Sequence, residues 1–185
     1  SYTYNLTVGK NTITVNDVTV AEWGTDKIEG GKAEVIPYVT FTAEGEQKFK
    51  MTTTGDYDLS GKLQYSVNEG KWENVVKDEE VTFGGTNGNL RLRGINKNGT
   101  ATDDSNYSTI TFTDDNVKVA CTGDIRTLLD YKTYKTVDTS NARFCYLFIY
   151  CKVLTSAPQL PATTLASKCY SYMLSSCTSL ESAPA

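Results

Sequence analysis

Cys151-Lys-Val-Leu-Thr-Ser-Ala-Pro158 is repeated 26 residues further along the chain as Cys177-Thr-Ser-Leu-Glu-Ser-Ala-Pro184. The same offset pairs large apolar residues upstream: Phe144 with Tyr170, Tyr146 with Tyr172, Leu147 with Met173, and Phe148 with Leu174. A period of roughly 20–29 residues with recurrent Leu is typical of leucine-rich solenoids, in which each unit covers the apolar face of its neighbour. The repeat therefore predicts an α/β leucine-rich-repeat solenoid in the second part of the chain.

Each repeat unit is predicted to combine a helix with a short strand. Residues 123–130 and 141–151 are helical candidates, and a helix is predicted to start at residues 162–166 and to continue over 168–176, where Tyr170, Met173 and Leu174 lie on one side. Leu-x-Ser-Ala-Pro then forms a strand that proline ends. The sequence given ends at Ala185, where a further Leu-Pro-Ala-Thr-Thr is expected, so the solenoid is predicted to be truncated.

Short β-rich runs fill the chain before the repeats. They cover residues 34–42, 47–53, 62–67, 72–76, 80–83, 89–95 and 107–113. Turn signals about every 8–12 residues favour an antiparallel β-sandwich over a parallel sheet. The predicted fold class is therefore mainly β, with an N-terminal β-hairpin, an antiparallel β-sandwich and a truncated α/β leucine-rich-repeat solenoid.

The first 24 residues have a β pattern of their own. Two β-rich runs, residues 2–8 and 12–20, flank the turn signal Gly9-Lys10-Asn11, which predicts a hairpin. An isolated hairpin is marginally stable in water and has free edges, so this segment is a candidate for strand exchange with another chain. The apolar residues expected to carry that exchange are Ile13, Val15, Val18 and Val20.

Charge and composition change near Asp114-Asp115-Asn116. Residues 1–116 hold 11 basic and 18 acidic side chains, a net charge of −7, whereas residues 117–185 hold 7 and 4, a net charge of +3. All five cysteines lie in the second segment. We therefore predict a hairpin at 1–24, a linker at 25–33, a sandwich module at 34–115, and a repeat cap with the first repeats at 116–185.

Composition also limits the function. The 185 residues contain no histidine, which excludes Ser-His-Asp and Cys-His centres and any zinc site with a histidine ligand. The net charge of −4 argues against nucleic acid as a partner. No apolar run approaches the ~18 residues that a membrane-spanning helix needs. We expect no catalytic residue, no cofactor and no metal, although chemistry by Asp and Glu alone is not formally excluded.

The cysteines and the aromatic residues are the remaining candidates for chemistry or binding. The spacings Cys145…Cys151 and Cys169…Cys177 do not fit the C-x₂₋₄-C pattern of zinc ribbons. Because Cys151 and Cys177 occupy equivalent positions in the repeat, buried free thiols are favoured, with a disulfide or a metal site as alternatives. Trp72, just after a hairpin turn, and Tyr65, in the strand before it, are the candidate residues of a binding surface, with packing as the alternative. Four aromatic residues of the repeats are expected in the core: Phe144, Tyr146, Tyr170 and Tyr172.

The repeats resemble a known type. Residues 144–185 resemble the BspA-type leucine-rich repeats of surface proteins from gut Bacteroidales. The resemblance is strongest in Leu154-Thr-Ser-Ala-Pro-Gln-Leu-Pro-Ala-Thr-Thr-Leu-Ala166 and in Cys177-Thr-Ser-Leu180. Residues 38–113 are similar to the small β domain that often precedes such repeats, and residues 2–23 resemble the final strands of fimbrillin-like pilus proteins. The matching pieces of the β domain are Val39-Thr-Phe-Thr42, Leu63-Gln-Tyr-Ser66, Gly70-Lys-Trp72 and Leu90-Arg-Leu-Arg-Gly94.

The resemblance implies a non-enzymatic adhesion or interaction protein on the bacterial cell surface, in the outer membrane or in a pilus. A glycan-binding accessory module of a carbohydrate-uptake system is the alternative, and an enzyme is third. The ligand, whether protein or glycan, is not identified. Self-association is expected through residues 1–24 or through the open end of the solenoid.

Overall fold

The computed structural model describes residues 9–15, 18–25 and 35–184. The chain forms two compact units, Ser1–Val35 and Ile36–Ala185. The change of composition at Asp114-Asp115-Asn116 therefore lies inside the second unit and not at the edge of one.

The first unit contains an antiparallel hairpin. β1 (Gly9–Val15) pairs with β2 (Val18–Thr25), and the register shifts between Ile13 and Thr14. The predicted turn at Gly9-Lys10-Asn11 is wrong, because these residues belong to β1. The predicted strand at residues 2–8 lies outside the described residues. The candidate strand-exchange residues lie on the two strands, with Val15 opposite Val18, Ile13 opposite Ala21, and Val20 in β2.

The second unit is built on two antiparallel sheets. Its strands are β3 (Val39–Ala43), β4 (Glu46–Thr54), β5 (Leu63–Val67), β6 (Glu73–Asn74), β7 (Val81–Gly84), β8 (Asn89–Gly94), β9 (Tyr107–Phe112) and β10 (Val119–Thr122). One sheet has the order β10-β3-β8-β5-β6, and the other has the order β7-β4-β9. The mainly β, antiparallel character of the prediction is confirmed. Sequence patterning did not indicate β10, which is only four residues long.

The two sheets share one apolar core. Along β8, Leu90 and Leu92 are buried, which follows the two-residue alternation of a strand with one covered face. The ring centroid of Phe41 in β3 lies 5.2 Å from that of Phe112 in β9 and 6.1 Å from that of Phe49 in β4. Aromatic residues of both sheets therefore meet in the interior of the unit.

The predicted helices at residues 141–151 and 168–176 are wrong, and the one at residues 123–130 is reduced to four residues. Among the described residues, the one helical element is a short 3₁₀ turn at Ile125–Leu128, and residues 141–151 and 168–176 form successive turns. The physical cause is left-handed backbone, which interrupts a right-handed helix. Five such positions fall in these segments: Tyr146 (φ 60°), Tyr150 (φ 60°), Lys168 (φ 59°), Tyr172 (φ 52°) and Ser176 (φ 61°). Tyr146 and Tyr150 recur at the repeat offset of 26 residues as Tyr172 and Ser176, so the two units share this part of their backbone conformation.

The repeat units stack through backbone hydrogen bonds. The N–H groups of Phe144, Tyr146, Phe148 and Tyr150 donate to the carbonyls of Cys169 (2.7 Å), Ser171 (3.0 Å), Met173 (2.9 Å) and Ser175 (2.8 Å), respectively. In parallel pairing, a residue donates to the carbonyl just before its partner, so the 26-residue offset is the register of the stack. The rings of Tyr146 and Tyr172 follow it, 5.3 Å apart with an interplanar angle of 5°.

The stacked units extend the edges of both sheets. The Thr155 N–H donates to the carbonyl of Val119 in β10 (2.8 Å), and the Glu181 N–H donates to that of Thr155 (3.1 Å). On the other side, the Ile110 N–H of β9 donates to the Leu147 carbonyl (2.7 Å). The shared hydrogen bonds explain why Ile36–Ala185 is one compact unit.

Candidate functional site

Five half-buried side chains lie together on the outer face of the five-stranded sheet, and we call them the guanidinium–aromatic cluster: Tyr38, Trp72, Arg91, Arg93 and Tyr131. The cluster forms because successive side chains of β8 point to opposite faces of the sheet. With Leu90 and Leu92 buried in the core, the arginines between and after them point to the opposite face. Tyr38 directly precedes β3 and Trp72 directly precedes β6 of the same sheet, and the Tyr131 N–H donates to the carbonyl of Gly94 at the end of β8 (3.2 Å).

Arg93 is the centre of the cluster. Its Cζ lies 4.1 Å from the centroid of the Trp72 ring and 4.3 Å from that of the Tyr131 ring. Gln64 Oε1 accepts hydrogen bonds from Arg93 Nε (3.0 Å) and Nη2 (2.8 Å). Two cation–π contacts and two hydrogen bonds therefore hold this guanidinium in one orientation.

Arg91 occupies the adjoining part of the cluster. Its Cζ lies 5.6 Å from the Tyr38 ring centroid and 5.3 Å from that of Trp72, and the two rings are 4.9 Å apart. Arg91 Nη1 is 3.7 Å from Glu69 Oε1, a carboxylate whose side chain is 73% exposed. An exposed pair of this kind stabilises by at most about 1 kcal/mol. Among the described residues, Glu69 is the one carboxylate within ion-pairing distance of the two guanidiniums, so the cluster keeps a net positive charge.

The structure does not bring the two predicted binding-surface residues together. Trp72 belongs to the guanidinium–aromatic cluster, whereas Tyr65 packs partly against the core. The Tyr65 hydroxyl donates a 3.4 Å hydrogen bond to Glu73 Oε2, and burial together with this carboxylate raises the pKa of Tyr65. A role in binding stays a prediction for both residues. On the Arg93 side, the Trp72 ring is already covered, so a sugar cannot stack there.

The other members of the cluster were not found from the sequence. The motif Leu90-Arg-Leu-Arg-Gly94 does contain a usable signal, because alternating Leu and Arg places two cations on one face of a strand. No comparable signal marks Tyr38 and Tyr131, which the fold brings to within 6.2 Å of each other between ring centroids.

The aromatic residues of the repeats divide into two groups. Phe144 is buried and Tyr170 is partly buried, as expected for packing residues. The core prediction is wrong for Tyr172, whose side chain is 61% exposed, and Tyr146 is only half-buried. Left-handed backbone at both positions turns these rings outward, where they stack with Tyr107 in a surface column.

All five cysteines are free thiols in the structure. Cys121, Cys145, Cys151 and Cys169 are buried, and Cys177 is half-buried. Burial raises the pKa of the Cys151 thiol from 9.0 to about 12, and it raises that of Cys121 well above the ordinary value. Nowhere in the described part of the chain do three or more Cys, Asp or Glu side chains gather into a group able to hold a metal ion.

We expect thiol reactivity to follow this burial. With Ellman's reagent at pH 8, Cys177 of the native chain should react first, because a thiol reacts as the exposed thiolate. Denaturation without reductant should then release five thiols. Because unfolding lets a thiol ionise near its ordinary pKa, stability should fall as the pH rises above 9.0 toward 12. Fewer than five thiols after denaturation would reveal a disulfide instead.

Comparisons of the chain with models of known protein families, with curated proteins and with solved structures found no match. No helix in the residues that the structure describes is long and apolar enough to cross a membrane.

Proposed function

We propose that this chain is a non-enzymatic interaction module of an adhesion protein on the bacterial cell surface. The observation that carries the proposal is the guanidinium–aromatic cluster. Trp, Tyr and Arg are the residue types that dominate binding energy at protein surfaces. Because Gln64 and the stacked rings already hold Arg93, a ligand would order few side chains on binding, which favours affinity.

The stacked repeats support the same proposal. Two units with a shared backbone conformation and a regular ladder fit BspA-type leucine-rich repeats, although their segments are turns and not helices. Repeat arrays present extended surfaces suited to binding without chemistry. We propose that the sandwich formed by the two sheets serves as the base from which this solenoid grows, since β9 and β10 bond directly to the first unit.

The N-terminal hairpin supplies a second route to assembly. Among the described strands, β1 and β2 pair only with each other, so each has one edge that no other described strand occupies. Such an edge is able to accept a strand from another chain. We propose that residues 1–24 mediate self-association, in keeping with their resemblance to the final strands of fimbrillin-like pilus proteins.

A glycan-binding accessory module is the second candidate function. The neighbourhood of Trp72 favours it, because the amide of Gln64 and the exposed amide of Asn74 lie beside the aromatic rings. Amides that pair with hydroxyls, next to apolar rings, are the usual elements of a sugar-binding surface.

Adhesion of coated beads tests the proposed function. Beads that carry the chain should adhere to an intestinal epithelial monolayer, and Trp72→Ala should reduce adhesion several-fold because it removes one of the rings that hold Arg93. Deleting residues 1–24 should reduce bead–bead clustering and the mass measured by light scattering. Tyr150→Ala, which changes an exposed ring outside the cluster, is the control. Adhesion that is unaffected by Trp72→Ala, together with an unchanged monomer before and after the deletion, would contradict the proposal.

A further inference from the structure

Among the residues that the structure describes, one hydrogen-bonding edge of the Arg93 guanidinium has no partner. Gln64 Oε1 occupies the edge formed by Nε and Nη2, which leaves both N–H groups of Nη1 and one N–H group of Nη2. Within the described ranges, no acceptor lies within hydrogen-bonding distance of these groups, and no carboxylate lies within ion-pairing distance of Arg93. This free edge has the parallel pair of donors that binds a carboxylate with two hydrogen bonds.

The surroundings of Arg93 strengthen such an interaction. The Trp72 and Tyr131 rings cover parts of the guanidinium and exclude water from them. A charge-assisted hydrogen bond in this partly dry setting is stronger than one made by a freely hydrated arginine. Arg91 adds a second positive charge on the same strand, and Glu69 offsets it only weakly. The cluster is therefore suited to one anionic group.

The groups around that edge favour a sugar over an acidic peptide. Gln64 Nε2 donates to Asn74 Oδ1 (3.3 Å), which leaves the amide N–H groups of the exposed Asn74 for hydroxyls. A segment with several carboxylates would meet Glu69 beside Arg91, on a chain whose net charge is −4. One free guanidinium edge with neutral amides beside it matches a sugar ring that bears one carboxylate.

We propose that the guanidinium–aromatic cluster binds a carboxylated saccharide, a uronic-acid unit, through the free edge of Arg93. The carboxylate accepts from Arg93 Nη1 and Nη2, and a ring hydroxyl accepts from the Asn74 amide. This inference rests on the proposed function, because it names the ligand of the surface that carries that proposal.

Isothermal titration calorimetry with the full chain tests the inference. The probe is an oligogalacturonate, and its carboxyl-reduced, neutral counterpart is the comparison ligand. We expect the acidic form to bind at least about tenfold more tightly, since hydrogen bonds between two charged groups are stronger than those between neutral groups. Arg93→Lys keeps the charge but removes the paired donors, so it should weaken binding about tenfold. Arg143→Lys, at an arginine outside the cluster, should leave binding unchanged.

Three results would overturn the inference: equal binding of the neutral oligosaccharide, unaltered affinity in Arg93→Lys, or tighter binding of an oligoglutamate with the same number of carboxylates. Asn74→Ala provides a second variant if Arg93→Lys fails to fold, because this exposed side chain should affect affinity only. If the oligogalacturonate does not bind while bead adhesion still depends on Trp72, the ligand class is wrong and the proposed function stands. Loss of both would remove the proposed function as well.

Discussion

Replacing Leu154 with alanine is expected to lower the free energy of unfolding by about 2–5 kcal/mol, the usual cost of deleting a fully buried leucine side chain. Leu154 is 0% exposed and lies next to β10, where its backbone bridges to Val119 in parallel. It therefore lies where the first repeat unit joins the five-stranded sheet. Urea unfolding followed by far-UV circular dichroism would measure the loss.

Two matched leucines make this measurement specific. Leu165→Ala is the control, because its side chain is 52% exposed and surface substitutions usually change stability by about 0.5 kcal/mol or less. Leu180, the repeat equivalent of Leu154, packs partly against the core and should give an intermediate loss. Equal losses at Leu154 and Leu165 would contradict the stacked arrangement.

The shape of the same unfolding curve tests how the second unit is organised. Because Phe148 of the stacked turns packs on Phe41 of β3, with ring centroids 6.2 Å apart, the sheets and the repeats should unfold together. We expect one cooperative transition for Ile36–Ala185. A separate transition that Leu154→Ala shifts without affecting the rest would instead indicate an independent repeat domain.

Strands were the most predictable part of this fold, because the alternation of buried and outward-facing side chains is visible within a few consecutive residues. In Leu90-Arg-Leu-Arg-Gly94, each residue is either buried or outward-facing, so the pattern alone indicates a strand with one covered face. The 26-residue offset was equally readable, because stacked units repeat their side chains in register. The helices were predicted because apolar side chains recur on one side of each segment. Successive turns place apolar side chains on one side as well, so the spacing did not distinguish the two structures. Non-glycine residues in left-handed backbone, such as Tyr146 and Tyr172, have no sequence signature.

Only part of the guanidinium–aromatic cluster could be predicted from the sequence, because the cluster depends on the order of the strands in the sheet. Alternation places Arg91 and Arg93 on one face, and Trp72 stands out as a rare residue after a turn. The cluster exists, however, because β8 lies between β3 and β5, which brings Tyr38 and Trp72 to the same face. Strand order depends on contacts far apart in sequence, which local patterning does not reveal.

The second large effect is expected at a buried ion pair between β10 and the repeats. Asp124 Oδ2 accepts from Arg126 Nη2 (2.7 Å), and Asp124 Oδ1 accepts from the Arg126 backbone N–H (2.9 Å). Asp124 is only 4% exposed, and the Asp124 N–H donates to the Pro37 carbonyl (2.9 Å). This aspartate therefore begins the 3₁₀ turn and ties it to the start of the unit.

Asp124→Ala should cost about 3–5 kcal/mol, because it leaves the partly buried guanidinium of Arg126 without its partner, and loss of the cap adds about 1 kcal/mol. Part of this loss should return in the double variant Asp124→Ala/Arg126→Ala, which removes both charges. The effect should persist in 1 M salt, since salt screens buried pairs much less than exposed ones.

Asp138 offers the matched control for this prediction. Its Oδ1 accepts from the Ser140 backbone N–H (2.9 Å), the same i to i+2 contact that Asp124 makes, but Asp138 is exposed. Water can replace this contact, so Asp138→Ala should have a much smaller effect than Asp124→Ala. Two results would show that capping alone explains the effect of Asp124. One is an equal loss of stability in Asp124→Ala and Asp138→Ala. The other is a loss in the double variant Asp124→Ala/Arg126→Ala that equals the sum of the losses in Asp124→Ala and Arg126→Ala measured singly. The ion pair would then contribute nothing to the junction between the sheet and the stacked repeats.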